Sequence, residues 1–596
     1  MVLIIISWLW IGIASFLLGF AVMQAIGKVT GEEETRCKLD SVEIYILMGL
    51  VCLTVYSQVF SLVAGIGFAA TIIAGVLCLV VAIAFWQKIK QYFIRLFTQA
   101  REIKFSAILF LMVLLLFVLL AYITASRTWH YDTDLYHAQA IRWIEEFGVV
   151  KGLGNLHNRF AYNSAFFCLQ ALFSMKFAVN QSLHSVNGFI TFLMLSYALC
   201  TLSVWKRERL KISDFMKIGL FIYFGYLENS LLISSPGSDI LTMCMVLYVS
   251  AKWAELLERG EKSPVPYGIL CLLSVWTVTV KLSAAFLVFL AIYPAVLLMR
   301  QKKWKHFIMF VIMGVGIVVP FLIRNVIISG YLVYPYSAID LFDVDWKMAA
   351  SVAADDSREI MAWGRGMTSR PLYDAGFRTW FPKWYDTLSM GTQGLFIANI
   401  VCMVFLMGYL AWVVLKKSRG NGASVSLLLV SMAQVIMWFV TAPLLRYGLA
   451  YMLLLPAFLA GLVCQKINSR IIAWVICVSG ICCGISRMVQ VADDFTEPHW
   501  KRPADYNWKE RRTVVWENME IYVPDGSDSI GYHFFPSTPN EARLEAIELR
   551  TENLADGFRL KADYRDKVFN SSGVVIERFL DIKRHSQIKR NLNEKA

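Results

Sequence analysis

Charged residues are scarce in this chain. Of its 596 residues only 17% are Asp, Glu, Lys or Arg, whereas 57% are hydrophobic, and the mean hydropathy is +0.55. An average soluble domain carries about 25% charged residues. The shortage of charge therefore excludes an ordinary soluble protein and predicts a polytopic membrane protein.

The polar loops also lack paired cysteines. The twelve cysteines fall almost entirely inside apolar runs, where a thiol behaves as a small hydrophobic group. The sequence therefore indicates neither a disulfide framework nor a zinc knuckle. It also contains no P-loop and no glycine-rich dinucleotide motif, which argues against nucleotide chemistry.

Long apolar runs are abundant and define the fold class. The runs of about membrane-spanning length are 2–27, 42–63, 65–86, 105–125, 183–205, 215–233, 238–257, 265–280, 282–299, 306–328, 394–415, 424–441, 447–464 and 470–487. The run 162–178 is shorter and interrupted by polar residues, so it predicts a helix in the membrane interface. We therefore expect an all-α membrane domain over residues 1–487, with about 13 to 14 transmembrane helices, and a small α+β domain over 488–596.

Basic residues indicate the orientation of the chain. The net charge is +13, but lysine and arginine are spread over short loops between spans, so no nucleic-acid partner is indicated. These loops are 88–104, 206–211, 300–305, 416–419 and 466–470. The positive-inside rule places them in the cytoplasm. The long loops 126–182 and 329–393 and the C-terminal domain are then extracytoplasmic, in a multi-pass protein of the cell inner (plasma) membrane.

An acidic motif follows the span 105–125. Ionisable residues beside a membrane span are costly unless they have a function. If an α-helix begins at Asp134, then Asp134 and His137 share one face, and Asp132 lies just upstream. These three side chains could converge as proton acceptors or metal ligands. Asp134 could equally serve as the N-cap of that helix.

Basic residues also occur at the predicted extracytoplasmic ends of spans, where the positive-inside rule expects few. They are Lys281, Arg324 and Arg446. Each could extend its charge to the membrane surface, or they could form a site for a phosphate. Asp239 follows a Pro-Gly break and could either cap its helix or join this site.

The segment after Gly152 and Gly154 carries further polar residues. The two glycines predict a turn, after which His157 and Arg159 could fold back toward the aspartates or anchor the chain in the interface. Carboxylates beside fixed cations on the extracytoplasmic face suit the transfer of a sugar from a lipid-linked phosphate. The cations would stabilise the leaving phosphate, and an aspartate would act as the base.

These features resemble the GT-C superfamily of integral-membrane glycosyltransferases, in particular its bacterial mannosyltransferase, aminoarabinose-transferase and RgtA-like groups. The matching motifs are Asp132-Thr-Asp134, Val280-Lys281-Leu-Ser, Arg324-Asn325, Gly330-Tyr-Leu-Val-Tyr334-Pro335 and Pro443-Leu-Leu-Arg446-Tyr447. They lie within roughly residues 105–465.

The resemblance implies a GT-C-like fold and a role for each motif. It implies that Asp132 or Asp134 is the catalytic base or a metal-linked carboxylate, and that Lys281, Arg324 and Arg446 bind the donor phosphate. The further candidates for substrate binding are His137, His157, Arg159, Asp239, Tyr334 and Tyr447. No cofactor is certain, but Asp132, Asp134 and His137 leave open a divalent metal such as Mg²⁺ or Mn²⁺.

The sequence thus predicts an enzyme that uses a polyprenyl-phosphate sugar donor and a lipid or glycan acceptor of the cell envelope. One alternative is a transporter or flippase of lipid-linked glycans, which would need ionisable residues in mid-span and internal repeats. Another is a non-catalytic envelope assembly protein.

Overall fold

The computed structural model describes most of the chain. The described residues are 1–31, 39–101, 106–199, 201–202, 209–416, 422–467, 469–494, 499–506, 511–539 and 541–576. Parts of the predicted basic loops 88–104, 206–211, 416–419 and 466–470 lie outside them.

The described chain is mostly helical. Its helices up to residue 258 are α1 (Val2–Thr30), α2 (Val42–Ser61), α3 (Phe68–Arg101), α4 (Ser106–Ala125), α5 (Ala138–Phe147), α6 (Leu153–Leu156), α7 (Ala165–Leu172), α8 (Lys176–Val179), α9 (Val186–Leu199), α10 (Ile212–Phe224), α11 (Leu227–Leu231) and α12 (Asp239–Glu258). The later ones are α13 (Pro264–Val280), α14 (Ile292–Arg300), α15 (Trp304–Ser329), α16 (Ala350–Gly364), α17 (Phe377–Thr387), α18 (Met390–Leu415), α19 (Gly422–Thr441), α20 (Leu445–Cys464), α21 (Arg470–Asp493) and α22 (Ala542–Ala546).

Short 3₁₀ and π helices and four short strands complete the secondary structure of the described residues. A π-helix spans Thr133–His137, and 3₁₀ helices span Asn158–Ala161, Leu232–Ser234, Leu282–Ala291, Arg370–Leu372, Leu554–Asp556 and Ala562–Tyr564. The strands are β1 (Arg511–Trp516), β2 (Met519–Pro524), β3 (Ile547–Leu549) and β4 (Phe558–Leu560). β1 pairs with β2 and β3 with β4, both antiparallel.

Eleven helices among the described residues are long and apolar enough to cross a membrane. The prediction of an all-α multi-pass membrane protein with a small α+β C-terminal region is therefore confirmed. Three of the predicted spans correspond to the shorter helices α9, α10 and α13, of 14, 13 and 17 residues.

α10 ends earlier than its apolar run predicts because polar side chains satisfy its last carbonyl groups. Asn229 donates to the carbonyl of Tyr223 at 2.9 Å, and Ser230 donates to that of Phe224 at 2.5 Å. Such bonds replace the intrahelical partners that are lost at a helix end. The chain then turns and brings Glu228 to the same end of the bundle as Asp132.

Small residues set the spacing of α1 and α2. A Cβ atom built on Gly19 would lie 1.7 Å from the carbonyl oxygen of Tyr45, and one on Gly49 would lie 1.7 Å from that of Ser15. Only glycine permits this contact, as in other helix pairs packed through small residues.

Helix α7 is fully buried in the protein. All its residues from Ala165 to Leu172 are buried, and it contacts α2 and α5. The prediction of an interfacial helix is therefore wrong for 165–172, which forms part of the core that supports the first long loop, whereas Phe177 at the end of the run is 43% exposed.

A buried ion network joins α2, α10 and α12 far from Asp239, near the C-terminal end of α12. Lys252 lies 2.8 Å from Glu43 and 3.4 Å from Glu255, and Lys217 lies 2.5 Å from Glu255. Tyr197 of α9 donates to Glu255 at 2.8 Å. Two lysines balance two glutamates, which satisfies the requirement that buried charges be paired.

We expect Lys252→Met to destabilise the fold by about 3–5 kcal/mol, because it removes the lysine partner of Glu43 and one of the two lysines that pair with the buried Glu255. Unfolding of the detergent-solubilised protein measures this change. Arg259→Ala is the matched control, since Arg259 also faces Glu255, at 3.7 Å, but is 53% exposed. Equal stability of the two variants would contradict the expectation.

The C-terminal region packs on the two long loops. Its first hairpin turns at Glu517 and Asn518, both with positive φ (48° and 61°), as a two-residue type I′ turn requires. Arg543 is buried and donates to the carbonyl groups of Asn155 and, at 2.9 Å, Gly154. In the second long loop, Asp355 accepts from the backbone N–H of Ser571 at 2.8 Å.

Candidate functional site

A cavity of about 480 Å³ lies where the two long loops meet the helix bundle. Its polar lining includes Asp132, His137, Arg159, Tyr162, Asn163, Asp239, Lys281, Tyr334 and Tyr447. Its apolar lining includes Val278, Phe286, Phe321, Met361, Met437 and Trp438. A cavity of this size with a few converging polar groups has the character of a ligand site.

The acidic motif enters the cavity through an unusual turn. Thr133–His137 is a π-helix, and the N–H of Ala138 bonds to the carbonyl of Thr133. Single π turns in proteins are frequent at functional sites. Its wider turn changes the direction of each side chain relative to the expected α-helix, so that Asp132 and His137 line the cavity while Asp134 does not.

Asp134 lies instead toward the C-terminal region. Its carbonyl oxygen accepts from the N–H of Gly531 at 2.8 Å, and its charge acts on Tyr506 and Arg511. The expectation that Asp134 converges with Asp132 and His137 is thus wrong, because only Asp132 and His137 line the cavity.

Arg446 is the centre of the ion network in the site. Its guanidinium lies 2.9 Å from Asp132, 3.4 Å from Glu228 and 3.5 Å from Asp239. It also contacts the imidazole of His130. Arg446 is only 7% exposed, so these carboxylates hold it in place behind the cavity wall.

Lys281 forms the second ion pair of the site. It follows α13 in an extended conformation, and its ammonium group contacts Asp239, the first residue of α12. It also lies 3.9 Å from the ring centroid of Tyr447. Asp239 therefore joins Lys281 and Arg446, and the ends of α12, α13 and α20 meet at this point.

Arg159 differs from the other cations of the cavity. Among the residues that the structure describes it has no ion pair within 4.0 Å. Burial lowers its pKa, but Tyr162, Asp356 and Asp132 together raise it above the ordinary value. Arg159 is thus a permanently charged guanidinium whose donors remain available to an anionic ligand.

The electrostatic environment keeps Asp132 charged and His137 neutral. Burial alone would raise the pKa of Asp132, but Arg446 and His130 outweigh this effect, and the pKa lies below its ordinary range. Burial lowers the pKa of His137 to about 3, more than Asp132 raises it. At neutral pH His137 can therefore give or accept a hydrogen bond but carries no charge.

The predicted metal ligands are not assembled. Among the described residues no group of three His, Cys, Asp or Glu side chains is arranged to hold a metal ion. Asp134 faces away from the cavity, and Asp132 already pairs with Arg446. The set of Asp132, Asp134 and His137 therefore does not fit a divalent metal.

Two further predicted residues lie outside the cavity lining. His157 is buried and packs on Phe160, with ring centroids 5.0 Å apart. Arg324 is 1% exposed and donates to Ser61 and, at 3.1 Å, to Asn163. Arg324 borders a separate cavity of only about 20 Å³, which has room for about one water molecule but not for a phosphate.

Asp356 is a site residue that the sequence did not reveal. It lies in α16 of the second long loop and is 1% exposed. Its carboxylate accepts hydrogen bonds from Asn158 at 2.9 Å, from Tyr334 at 3.1 Å and from Tyr162. Burial raises its pKa to about 6, although Arg159 lowers it. The sequence offered no clear signal, because Asp355 and Asp356 stand directly before Ser357-Arg358-Glu359 and resemble part of an exposed polar helix face.

Glu228 and His130 were also missed as members of the site. Glu228 falls within the apolar run 215–233, and His130 begins the polar stretch 130–139 that carries the aspartates but was given no role of its own. Only the early end of α10 and the course of the first loop bring both beside Arg446.

We expect Asp356 to give the fold a specific pH dependence. Its folded pKa of about 6 is above the ordinary value of 3.8, so its contribution to stability is present at low pH and is lost as pH rises through about 6. The unfolding temperature of the wild type should therefore fall more over this pH range than that of Asp356→Asn. Asp386→Asn, an exposed change in the same loop, should follow the wild type. Parallel curves for all three proteins would contradict the assignment.

Comparison with known proteins identifies the family of the chain. A family model described as Domain of unknown function (DUF8201) matches residues 1–453. This range contains every residue of the cavity described above, and it ends within α20. No curated protein and no solved structure matches the chain.

Proposed function

The chain belongs to the family described as Domain of unknown function (DUF8201), and we propose that it is a glycosyltransferase. It moves a sugar from a polyprenyl-phosphate-linked donor to a lipid or glycan acceptor of the cell envelope. The observation that carries the proposal is the convergence of Asp132, Arg159, Asp239 and Lys281 on one cavity. These residues come from distant parts of the chain, and they combine fixed cations with carboxylates.

The mixed lining of the cavity supports an amphiphilic donor. Besides its polar groups, the lining contains the apolar side chains Val278, Phe286, Phe321 and Met437. A second, almost wholly apolar cavity of about 460 Å³ lies between α13, α14 and α15. Val275 of α13, one helical turn before Val278, is among its lining residues. A phosphate-sugar headgroup suits the polar groups, and a polyprenyl chain suits the apolar surface that continues along α13 and α15.

The charges support the transfer of a sugar away from a phosphate. As the bond to the phosphate breaks, negative charge grows on the leaving oxygen, and a fixed cation in a water-poor site stabilises it. Arg159 and Lys281 are placed to do so, because both line the cavity. Asp132 stays ionised beside them through Arg446 and faces the reacting groups as the proposed catalytic carboxylate.

The working face of the protein is proposed to be extracytoplasmic. The support is the distribution of basic residues in the short loops, which lie on the side opposite to the two long loops in the predicted topology. Lipid-linked donors on that side need no soluble nucleotide sugar.

Activity is tested by incubating the purified protein with labelled polyprenyl-phosphate sugars and following the release of polyprenyl phosphate. We expect turnover by the wild type and a loss of about 10²–10³-fold in Asp132→Asn, because the variant removes a fixed negative charge that faces the reacting groups. Asp386→Asn, which changes an exposed carboxylate of the second long loop, is the matched control.

Asp134→Asn decides between the two aspartates of the motif. Because Asp134 faces the C-terminal region, we expect a smaller loss than in Asp132→Asn. Full activity of both variants would end the proposal. Movement of intact labelled donor across proteoliposomes without sugar release would favour the transporter alternative.

A chelator tests the role of a divalent metal. Since the described carboxylates and histidines do not form a metal site, we expect transfer to persist in excess EDTA. Loss of activity that Mg²⁺ or Mn²⁺ restores would show instead that a metal binds together with the substrate.

A further inference from the structure

The carboxylates of the cavity differ in how their charge is balanced. Asp132 pairs with Arg446 at 2.9 Å, and Asp239 contacts Lys281. An ion pair favours the charged form of a carboxylate and so makes it a weaker base. Neither group is well suited to take a proton from a substrate hydroxyl at neutral pH.

The carboxylate of Asp356 has neutral hydrogen-bond partners instead. Within the described residues it has no basic partner at ion-pair distance, and its partners are neutral: Asn158, Tyr162 and Tyr334. It is therefore the more basic carboxylate of the site. A general base works best when its pKa is close to the pH at which the enzyme operates. Burial raises the pKa of Asp356 to about 6, which meets this condition.

The tyrosines connect Asp356 to the cavity. Tyr334 and Tyr162 line the cavity, whereas Asp356 is buried behind them. The hydroxyl of Tyr334 donates to Oδ2 of Asp356 at 3.1 Å, so one of its oxygen lone pairs remains for a ligand on the cavity side. The rings of Tyr162 and Tyr334 lie 5.5 Å apart in an edge-to-face contact, which fixes the position of both hydroxyls.

We propose that Tyr334 and Asp356 form a proton relay that accepts the proton of the acceptor hydroxyl during sugar transfer. The inference rests on the glycosyltransferase activity proposed above. Tyr334 is the group that touches the substrate, and Asp356 acts through it as the final proton acceptor.

The relay completes the chemistry of the transfer. The acceptor oxygen forms a bond to the anomeric carbon, and the bond from that carbon to the phosphate oxygen breaks, its electron pair leaving with the phosphate. The acceptor proton passes to the hydroxyl oxygen of Tyr334 while the proton of Tyr334 passes to Oδ2 of Asp356. The products are polyprenyl phosphate, the glycosylated acceptor and a protonated Asp356, which later loses its proton to water.

The kinetic test compares Asp356→Asn and Tyr334→Phe with the wild type. For the wild type we expect kcat to rise with pH through about 6. Both variants should lower kcat by about 10²-fold, the range of a lost proton-transfer group, leave the KM of the donor unchanged and lose this pH-dependent limb. Loss of the rise in kcat with pH distinguishes a proton-accepting role from a merely structural one, because a structural defect would lower kcat without removing its pH dependence.

The matched controls change the same kinds of group outside the cavity. Tyr373 donates to Glu359 at 3.4 Å in the same loop, so Tyr373→Phe and Glu359→Gln should keep the wild-type kcat and pH profile. If Asp356→Asn fails to fold, Tyr334→Phe alone decides. A wild-type kcat and pH profile in either relay variant would overturn the proposal.

An infrared titration tests the relay without turnover. In the wild type we expect a protonated-carboxyl band that disappears as pH rises through about 6, is absent in Asp356→Asn and is shifted in Tyr334→Phe. Absence of this band in the wild type would overturn the relay even if sugar is transferred. Absence of transfer with a normal titration would instead refute the proposed function, and with it the relay's role in that reaction.

Discussion

The ion pair between Asp132 and Arg446 is the contact on which the site depends. The two residues are 314 positions apart, and their pairing fixes the first long loop to the start of α20. In a buried environment each of these charges needs a partner, because an isolated charge there is very costly. Glu228 and Asp239 supply further negative charge to the same guanidinium. This requirement draws four separate segments of the chain to one point.

The charged groups of the site differ in whether the protein itself balances their charge. Arg446, Asp239 and Lys281 satisfy one another, so their geometry is held by the protein itself. Arg159 and Asp356 have no ion-pair partner among the described residues, and they lie on the side of the cavity formed by the long loops. The proposed chemistry uses both kinds of group. Ion pairs with Arg446 and Asp239 hold Asp132 and Lys281 in position at the cavity, whereas Arg159 can bind an anionic ligand and Asp356 can accept a proton.

The C-terminal region is part of the structure that holds the site. Arg543 bonds the backbone of the turn at 154–155, which leads directly to Arg159. Tyr532 donates to the buried carboxylate of Glu145 at 2.6 Å, which fastens α5 behind the acidic motif. A buried side chain that satisfies backbone carbonyl groups limits the movement of a loop. The region therefore helps to hold the site, although none of its described residues lines the cavity.

The sequence by itself determined the fold class, because long apolar runs and a low content of charge leave only a helical membrane protein. It also indicated Asp132, Asp239, Lys281 and Arg446, since ionisable residues beside spans stand out against an apolar background, whereas Tyr334 was indicated only by the family resemblance. It could not separate Asp132 from Asp134, because a π turn rather than an α-helix sets their directions. Only the tertiary structure showed that Asp356 and Glu228 belong to the site and that Arg324 lies outside the cavity. Burial and charge pairing depend on neighbours that are distant in the sequence, and no local pattern records them.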